Sequence, residues 1–237
     1  NFGHDWNIDA GEQLPLKDKV LVKAEYGQLP DFSKSDSKND IVFTWNGTTA
    51  GVRIKNTDWI SDEREGLVIC DATSAVFSMQ MDWPKLDVVT YSWQKVLGSE
   101  AAHGMLILSP RAVERLESYT PPWPVPKVFR LADNQKFIKG IFSGATINTP
   151  SMISVEDVLN SLNWSIEVGG INELVKISEN NLKIVSDWIE SNENFEFLAK
   201  DPETRSCTSI CILPKDDWFV NLDDGKKAQI MKEVCSE

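Results

Sequence analysis

The chain is patterned as short apolar runs separated by polar stretches, which is how strands covered on both faces read. Val20 to Ala24, Ile41 to Trp45, Leu67 to Cys70, Val88 to Tyr91 and Met105 to Leu108 are compact, apolar and bounded by polar or turn residues, and they are predicted as strands. Pro30 to Asn39 is a Ser/Asp/Lys loop without periodicity. Ser109-Pro110-Arg111 opens a helix with proline at its first position and Val113 and Leu116 on its buried stripe. Pro121, Pro122, Pro124 and Pro126 make a stiff, extended connector. Over 154–168 the apolar positions 155, 158, 159, 162 and 166 recur at helical spacing, behind the capping pattern Ser154-x-x-Asp157. Gly169-Gly170 breaks that helix. A second runs from Ile171 to Ser191, with Leu174, Val175, Leu182, Val185 and Ile189 on one face. Thr208 to Leu213 is predicted as a strand and Lys226 to Cys235 as a final helix.

Strands alternating with helices predict an α/β fold with a mostly parallel sheet. A domain change is expected at the glycine break, with a large domain over 1–168 and a smaller, partial α+β domain over 169–237. A length of 237 residues, 41% hydrophobic and 25% charged, suits an ordinary globular protein with a sizeable core. No run approaches the roughly 20 apolar residues of a membrane span. The net charge of −12 argues against nucleic acid and anionic membranes as partners. Cys70, Cys207, Cys211 and Cys235 are too few and too scattered for a disulfide framework or a zinc site, so they read as buried free thiols in a reducing, cytoplasmic setting. Asn1 is not methionine and Lys232 to Glu237 stop within a helical pattern, so an internal piece of a longer protein is expected.

The candidate chemistry sits just past two of the predicted strands. In Ser92-Trp93-Gln94-Lys95-Val96-Leu97-Gly98, Lys95 follows a buried strand. On position alone it either snorkels to solvent or is held in a cleft where its amine is partly deprotonated. Asp71 follows Leu67 to Cys70, and it either caps a turn or faces a ligand. In open α/β sheets ligands bind at the carboxyl ends of strands, where both residues would stand.

Several motifs, in order along nearly the whole chain, resemble the phosphoserine aminotransferase family. They are Phe43-Thr44-Trp45-Asn46-Gly47-Thr48-Thr49-Ala50-Gly51-Val52, Cys70-Asp71-Ala72-Thr73-Ser74-Ala75, the Lys95 run, Glu100-Ala101-Ala102-His103-Gly104-Met105-Leu106-Ile107-Leu108-Ser109-Pro110-Arg111, and Gly144-Ala145-Thr146-Ile147-Asn148-Thr149-Pro150. That family belongs to class V of the fold-type-I pyridoxal-phosphate enzymes. The resemblance implies a homodimer with its sites at the subunit interface. It also implies small-molecule substrates: phosphoserine and 2-oxoglutarate exchanging with 3-phosphohydroxypyruvate and glutamate, in serine biosynthesis.

Carried over by resemblance, Lys95 holds the aldehyde of pyridoxal 5'-phosphate and moves the substrate proton. Asp71 is the partner of the pyridine nitrogen. Thr48 hydrogen-bonds the cofactor, Gln94 contacts its phosphate, and Asn148 and Thr149 reach the phosphate of the partner subunit's cofactor. On local pattern alone Asn46-Gly47 is a tight turn, Asn148-Thr149-Pro150 a helix entry and Asn46-Gly47-Thr48 a glycosylation acceptor, the last unsuited to a cytoplasmic protein. His103 has no role to transfer and is expected to be packed. Arg205 is expected to be structural. The family's ring-stacking aromatic, glycine-rich phosphate turn and several cationic substrate ligands are not matched here. Two other readings stay open: another class V aminotransferase of serine–glyoxylate type, and a polypeptide that lacks the segments needed for catalysis. No metal site is expected.

Overall fold

The computed structural model describes residues 2–101, 103–234 and 236. Four strands form one sheet in sequential order: β1 (Ile41–Thr44), β2 (Val68–Asp71), β3 (Val88–Ser92) and β4 (Gly104–Leu108). β1, β2 and β3 run parallel, in registers that pair Phe43 with Cys70 and Asp71 with Thr90. β4 returns antiparallel to β3, with Ser92 opposite Gly104. The α/β class and the mostly parallel sheet expected from the pattern are therefore present.

These strands form where the apolar runs lie because the central pair, β2 and β3, packs into the core, while Val42 on β1 and Ile107 on β4 stay exposed. Val68, Cys70 and Val89 are fully buried, and they join Trp45, Ile54, Ile60, Ala75, Met79 and Leu86 in one core. Phe32 stacks on Trp59 at 4.4 Å to close one side of it. Helix α1 (Phe2–Trp6) lies against β1. After β4, α2 (Pro110–Ser118) starts as expected: the Ser109 hydroxyl accepts from the Ala112 N–H and Pro110 occupies the first turn. Helices α3 (Met152–Glu167) and α4 (Ile171–Glu190) meet at Gly169 and Gly170, which take φ of +116° and +75°. These are values that glycine adopts without steric cost. A short antiparallel pair, β5 (Phe195–Phe197) and β6 (Ile212–Pro214), and a last helix α5 (Asp224–Val234) follow. Leu182 and Ile189 of α4, Phe197 of β5 and Cys207 all enter the core that covers the sheet.

Some expectations are corrected. Val20 to Ala24 is not a strand: it carries no regular structure, with Val20 76% exposed and no ladder to it among the described residues. An apolar run becomes a strand only where another strand can take its N–H and C=O groups. Of Thr208 to Leu213, only the end reaches β6. Residues 206–209 fold into a hydroxyl-rich turn in which the Ser206 hydroxyl accepts from the N–H groups of Thr208 and Ser209, an alternative to sheet pairing. Helix α3 is capped by Ser151, whose hydroxyl accepts from the Ser154 N–H, rather than by Ser154. Its buried stripe is Ser154, Val158 and Ser165, so the apolar Leu159 and Ile166 face outward, the latter 74% exposed. Cys70 and Cys207 are buried free thiols and Cys211 is half-buried, while Cys235 lies outside the described residues.

Candidate functional site

Because β1, β2 and β3 are parallel, their carboxyl ends open on one edge of the sheet. Thr48 follows β1, Asp71 ends β2, and Gln94 and Lys95 follow β3, so neighbouring strands deliver all four to that edge. Adjacent strands lie about 4.8 Å apart, which is the scale on which one small ring spans their ends.

The Asp71 carboxylate divides its work. Oδ1 accepts from the Thr73 N–H at 2.9 Å and from the Thr73 hydroxyl at 2.7 Å, closing a local turn. Oδ2 takes no part in that turn and accepts the indole N–H of Trp6 at 3.0 Å. The capping reading and the ligand-facing reading of Asp71 are thus both available, one for each oxygen.

Lys95 sits in a tight turn closed by the Gly98 N–H on its carbonyl, 3.0 Å away, with Gly98 at φ +66°. The Ser99 N–H reaches back to the Trp93 carbonyl. Leu97 is buried behind the turn while Lys95 itself is exposed, with no hydrogen-bond or ion-pair partner among the described residues. The loop therefore anchors itself through Leu97 and leaves the amine reaching outward. The side-chain oxygen of Gln94 is buried and unpartnered.

Asn46 and Gly47 are not the tight turn their pair suggests. They form a two-residue ladder with Val52 and Arg53, and the bend falls on Thr48–Gly51, where Gly51 takes φ +65°. The Cys211 side chain fills the space above Gly51, where an added Cβ would come within 2.9 Å of the Cys211 Cβ. The Thr48 hydroxyl lies 3.4 Å from that of Ser74. Buried Asn46 gathers the hydroxyls of Ser74, Thr208 and Ser209 within 3.3 Å of its Nδ2, which ties the Thr48 loop to the 206–209 turn. Sequence reading missed this hydroxyl cluster, and the Ser/Thr-rich run at 206–209 is the signal that could have found it.

Asn148 and Thr149 are exposed, immediately before the α3 cap. The structure does not bring them beside Asp71 within this chain's hydrogen-bond network. Arg205 is structural as expected: its guanidinium lies 3.8 Å above the Phe197 ring, donates to the Ala199 carbonyl and pairs with Glu190. An open cavity of about 680 Å³, lined in part by Tyr26, Phe32, Lys55, Trp59 and Leu198, contains none of the candidate residues. The described residues hold no cluster of metal-ligating side chains.

No family model matches the chain. Over all 237 residues it is 52% identical to phosphoserine aminotransferases of Methanosarcina barkeri and Methanosarcina mazei, covering 62% of each. A putative phosphoserine aminotransferase of Mycolicibacterium paratuberculosis is 25% identical over 217 residues. Among solved structures, a phosphoserine aminotransferase of Cytophaga hutchinsonii superposes with a TM-score of 0.75 at 21% identity, covering 99% of this chain and 63% of that one. The pyridoxal-phosphate-bound enzyme of Trichomonas vaginalis gives 0.61 at 20% identity over 80% of this chain and 48% of that one. The chain thus spans under two thirds of the length of these proteins, and its fold is theirs.

Proposed function

We propose, from the premise that this chain is a relative of the phosphoserine aminotransferases over its whole length, that it forms the cofactor-holding part of a phosphoserine:2-oxoglutarate aminotransferase. The observation that carries the reading is Asp71 Oδ2 already engaged by a planar ring N–H, at the end of the strand beside the one that delivers Lys95. The same oxygen fits the protonated ring nitrogen of pyridoxal 5'-phosphate. The unpartnered Gln94 oxygen leaves that side chain free to turn its amide N–H groups toward a phosphate.

When bound, the cofactor supplies an electron sink for the bonds around the substrate's amine-bearing carbon. The chain's own groups do the rest. Lys95 would hold the cofactor through its aldehyde and, once the substrate's amine has taken its place there and freed it, its amine would take the substrate's α-proton and return it one position along. Asp71 keeps the ring nitrogen protonated through Oδ2 while Thr73 holds Oδ1 still. Thr48 offers a hydroxyl from a loop braced by Ser74. Asn148 and Thr149 stand on the exposed segment ahead of α3, from which they would serve a second copy's phosphate in a homodimer. The division into 1–168 and 169–237, with its boundary at Gly169 and Gly170, belongs to the same reading. So does a cytoplasmic location; no helix among the described residues is long and apolar enough to cross a membrane.

The test uses the full-length chain. It is incubated with pyridoxal 5'-phosphate, reduced with borohydride and digested, and the labelled peptide should carry Lys95. Label on another lysine, or none, would overturn the reading. Turnover of phosphoserine against serine and alanine then separates this activity from the serine–glyoxylate type.

A further inference from the structure

His103 belongs to the motif that carries the lysine, yet the reaction leaves it without a task. It stands one residue before β4, and the register that sets Ser92 opposite Gly104 places Trp93 opposite His103. Their rings stack at 4.6 Å with planes 18° apart, a cross-strand pair just beyond the last ladder bonds. The stack closes the base of the loop that holds Gln94 and Lys95.

The other side of the imidazole faces α3. Its Nε2 accepts the Ser151 backbone N–H at 3.2 Å. A ring nitrogen accepts through its lone pair, so this bond occupies Nε2 and not Nδ1. That Nδ1 is buried and has no partner among the described residues. Two more bonds hold the same loop to the same helix: the Ser99 hydroxyl donates to the Ser154 carbonyl at 3.0 Å and the Ser161 hydroxyl to the Leu97 carbonyl at 2.6 Å. Those two grip the body of α3. Of the three bonds, the one to His103 alone reaches back to the segment that precedes the helix, two residues past Thr149.

We infer that His103 is a positioning residue that ties the loop bearing Gln94 and Lys95 to the segment bearing Asn148 and Thr149, by accepting the Ser151 N–H while stacked on Trp93. It sets the distance between two elements assigned to cofactor phosphates. This consequence rests on the function proposed above, whereas the tie itself does not.

Hydrogen exchange and cofactor binding separate the two. In the full-length chain, His103→Phe keeps a ring on Trp93 but offers no acceptor, while His103→Gln offers an acceptor without the stack. The Ser151 amide should exchange about five- to tenfold faster in His103→Phe, with His103→Gln recovering part of the protection. Unchanged exchange in His103→Phe overturns the inference. Should that variant fail to fold, Ser151→Pro lacks the N–H at a backbone φ of −67° that proline accepts, and Ser151→Ala controls for the lost cap. The proline variant should then weaken pyridoxal 5'-phosphate binding several-fold more than the alanine variant, with kcat at saturating cofactor little changed. Equal binding by the two overturns the tie. A parent chain that binds no cofactor while Ser151 exchange still depends on His103 sinks the proposed function and leaves the tie standing.

Discussion

Trp6 donates its indole N–H to Asp71 Oδ2, the carboxylate oxygen that Thr73 leaves free. One oxygen therefore builds the turn after β2 and the other ties that turn to α1. The structural role of one oxygen is thus separable from the ligand-facing role proposed for the other.

That separation makes Asp71→Asn informative. Asparagine keeps an acceptor for the Thr73 turn, so the thermal midpoint of the full-length chain should move by only a few degrees. Its neutral amide cannot hold a ring nitrogen protonated. Turnover should fall by at least about 100-fold. Steady-state kinetics beside a melting curve checks both halves, and near-parental turnover would remove Asp71 from the mechanism.

At the opposite end of the sheet, fully buried Asp87 accepts from the Val68 N–H, the Ser109 hydroxyl and the Arg64 guanidinium. Burial pushes its carboxyl up, but these donors together outweigh burial and hold it below the usual carboxylate range. A depressed folded value means that its stabilisation is fully present above the unfolded value near 3.9 and is lost as pH falls through the lower folded one. Denaturant midpoints followed down through that acid window should fall less steeply for Asp87→Asn than for the parent. At neutral pH the same change leaves buried Arg64 without its anion and should cost about 3–5 kcal/mol.

Gly66 precedes β2 where the chain passes over Asn39, and a Cβ there would lie 1.9 Å from the Asn39 carbonyl oxygen. The obstacle is backbone, not the end of a flexible side chain. Gly66→Ala must push residues 37–40 off the start of β2, at a cost of about 3 kcal/mol. A chevron or equilibrium urea titration measures it; a change within 0.5 kcal/mol, the range of an inert surface site, would mean that the close approach is not maintained.

Cys70 is fully buried, and desolvation, helped by the neighbouring Asp71 charge, pushes its thiol far above the ordinary range. Burial also raises Cys207 and Cys211. Since the thiolate is the reactive form, iodoacetamide at mildly alkaline pH should leave Cys70 unlabelled in the folded chain and label it fully in guanidinium. Mass spectrometry of the digests reads both states.

Much of the scaffold is legible along the chain. β1 to β4 stand where the apolar runs stand, and Pro110 and Gly169-Gly170 mark helix ends for reasons internal to each residue. The run at Val20 is just as apolar but finds no ladder, and α3 turns Leu159 and Ile166 outward while burying Ser154 and Ser165. Those outcomes depend on what packs alongside, which a linear pattern does not contain. Lys95 and Asp71 can be picked out by their place after apolar runs, whereas Asn46, Ser74 and the 206–209 hydroxyls are unremarkable until the fold gathers them.

The order of residues alone determined the four strands of the main sheet, the helix stops and which side chains are candidates for chemistry, because local propensity and solvent preference act over a few positions at a time. Only the tertiary structure decided that the ends of β1, β2 and β3 share one edge, that Asp71 gives one oxygen to Thr73 and the other to Trp6, and that His103 faces Ser151. Parallel pairing and cross-strand register join residues far apart in the chain, and such contacts exist only once the backbone hydrogen bonds of the whole sheet are satisfied together.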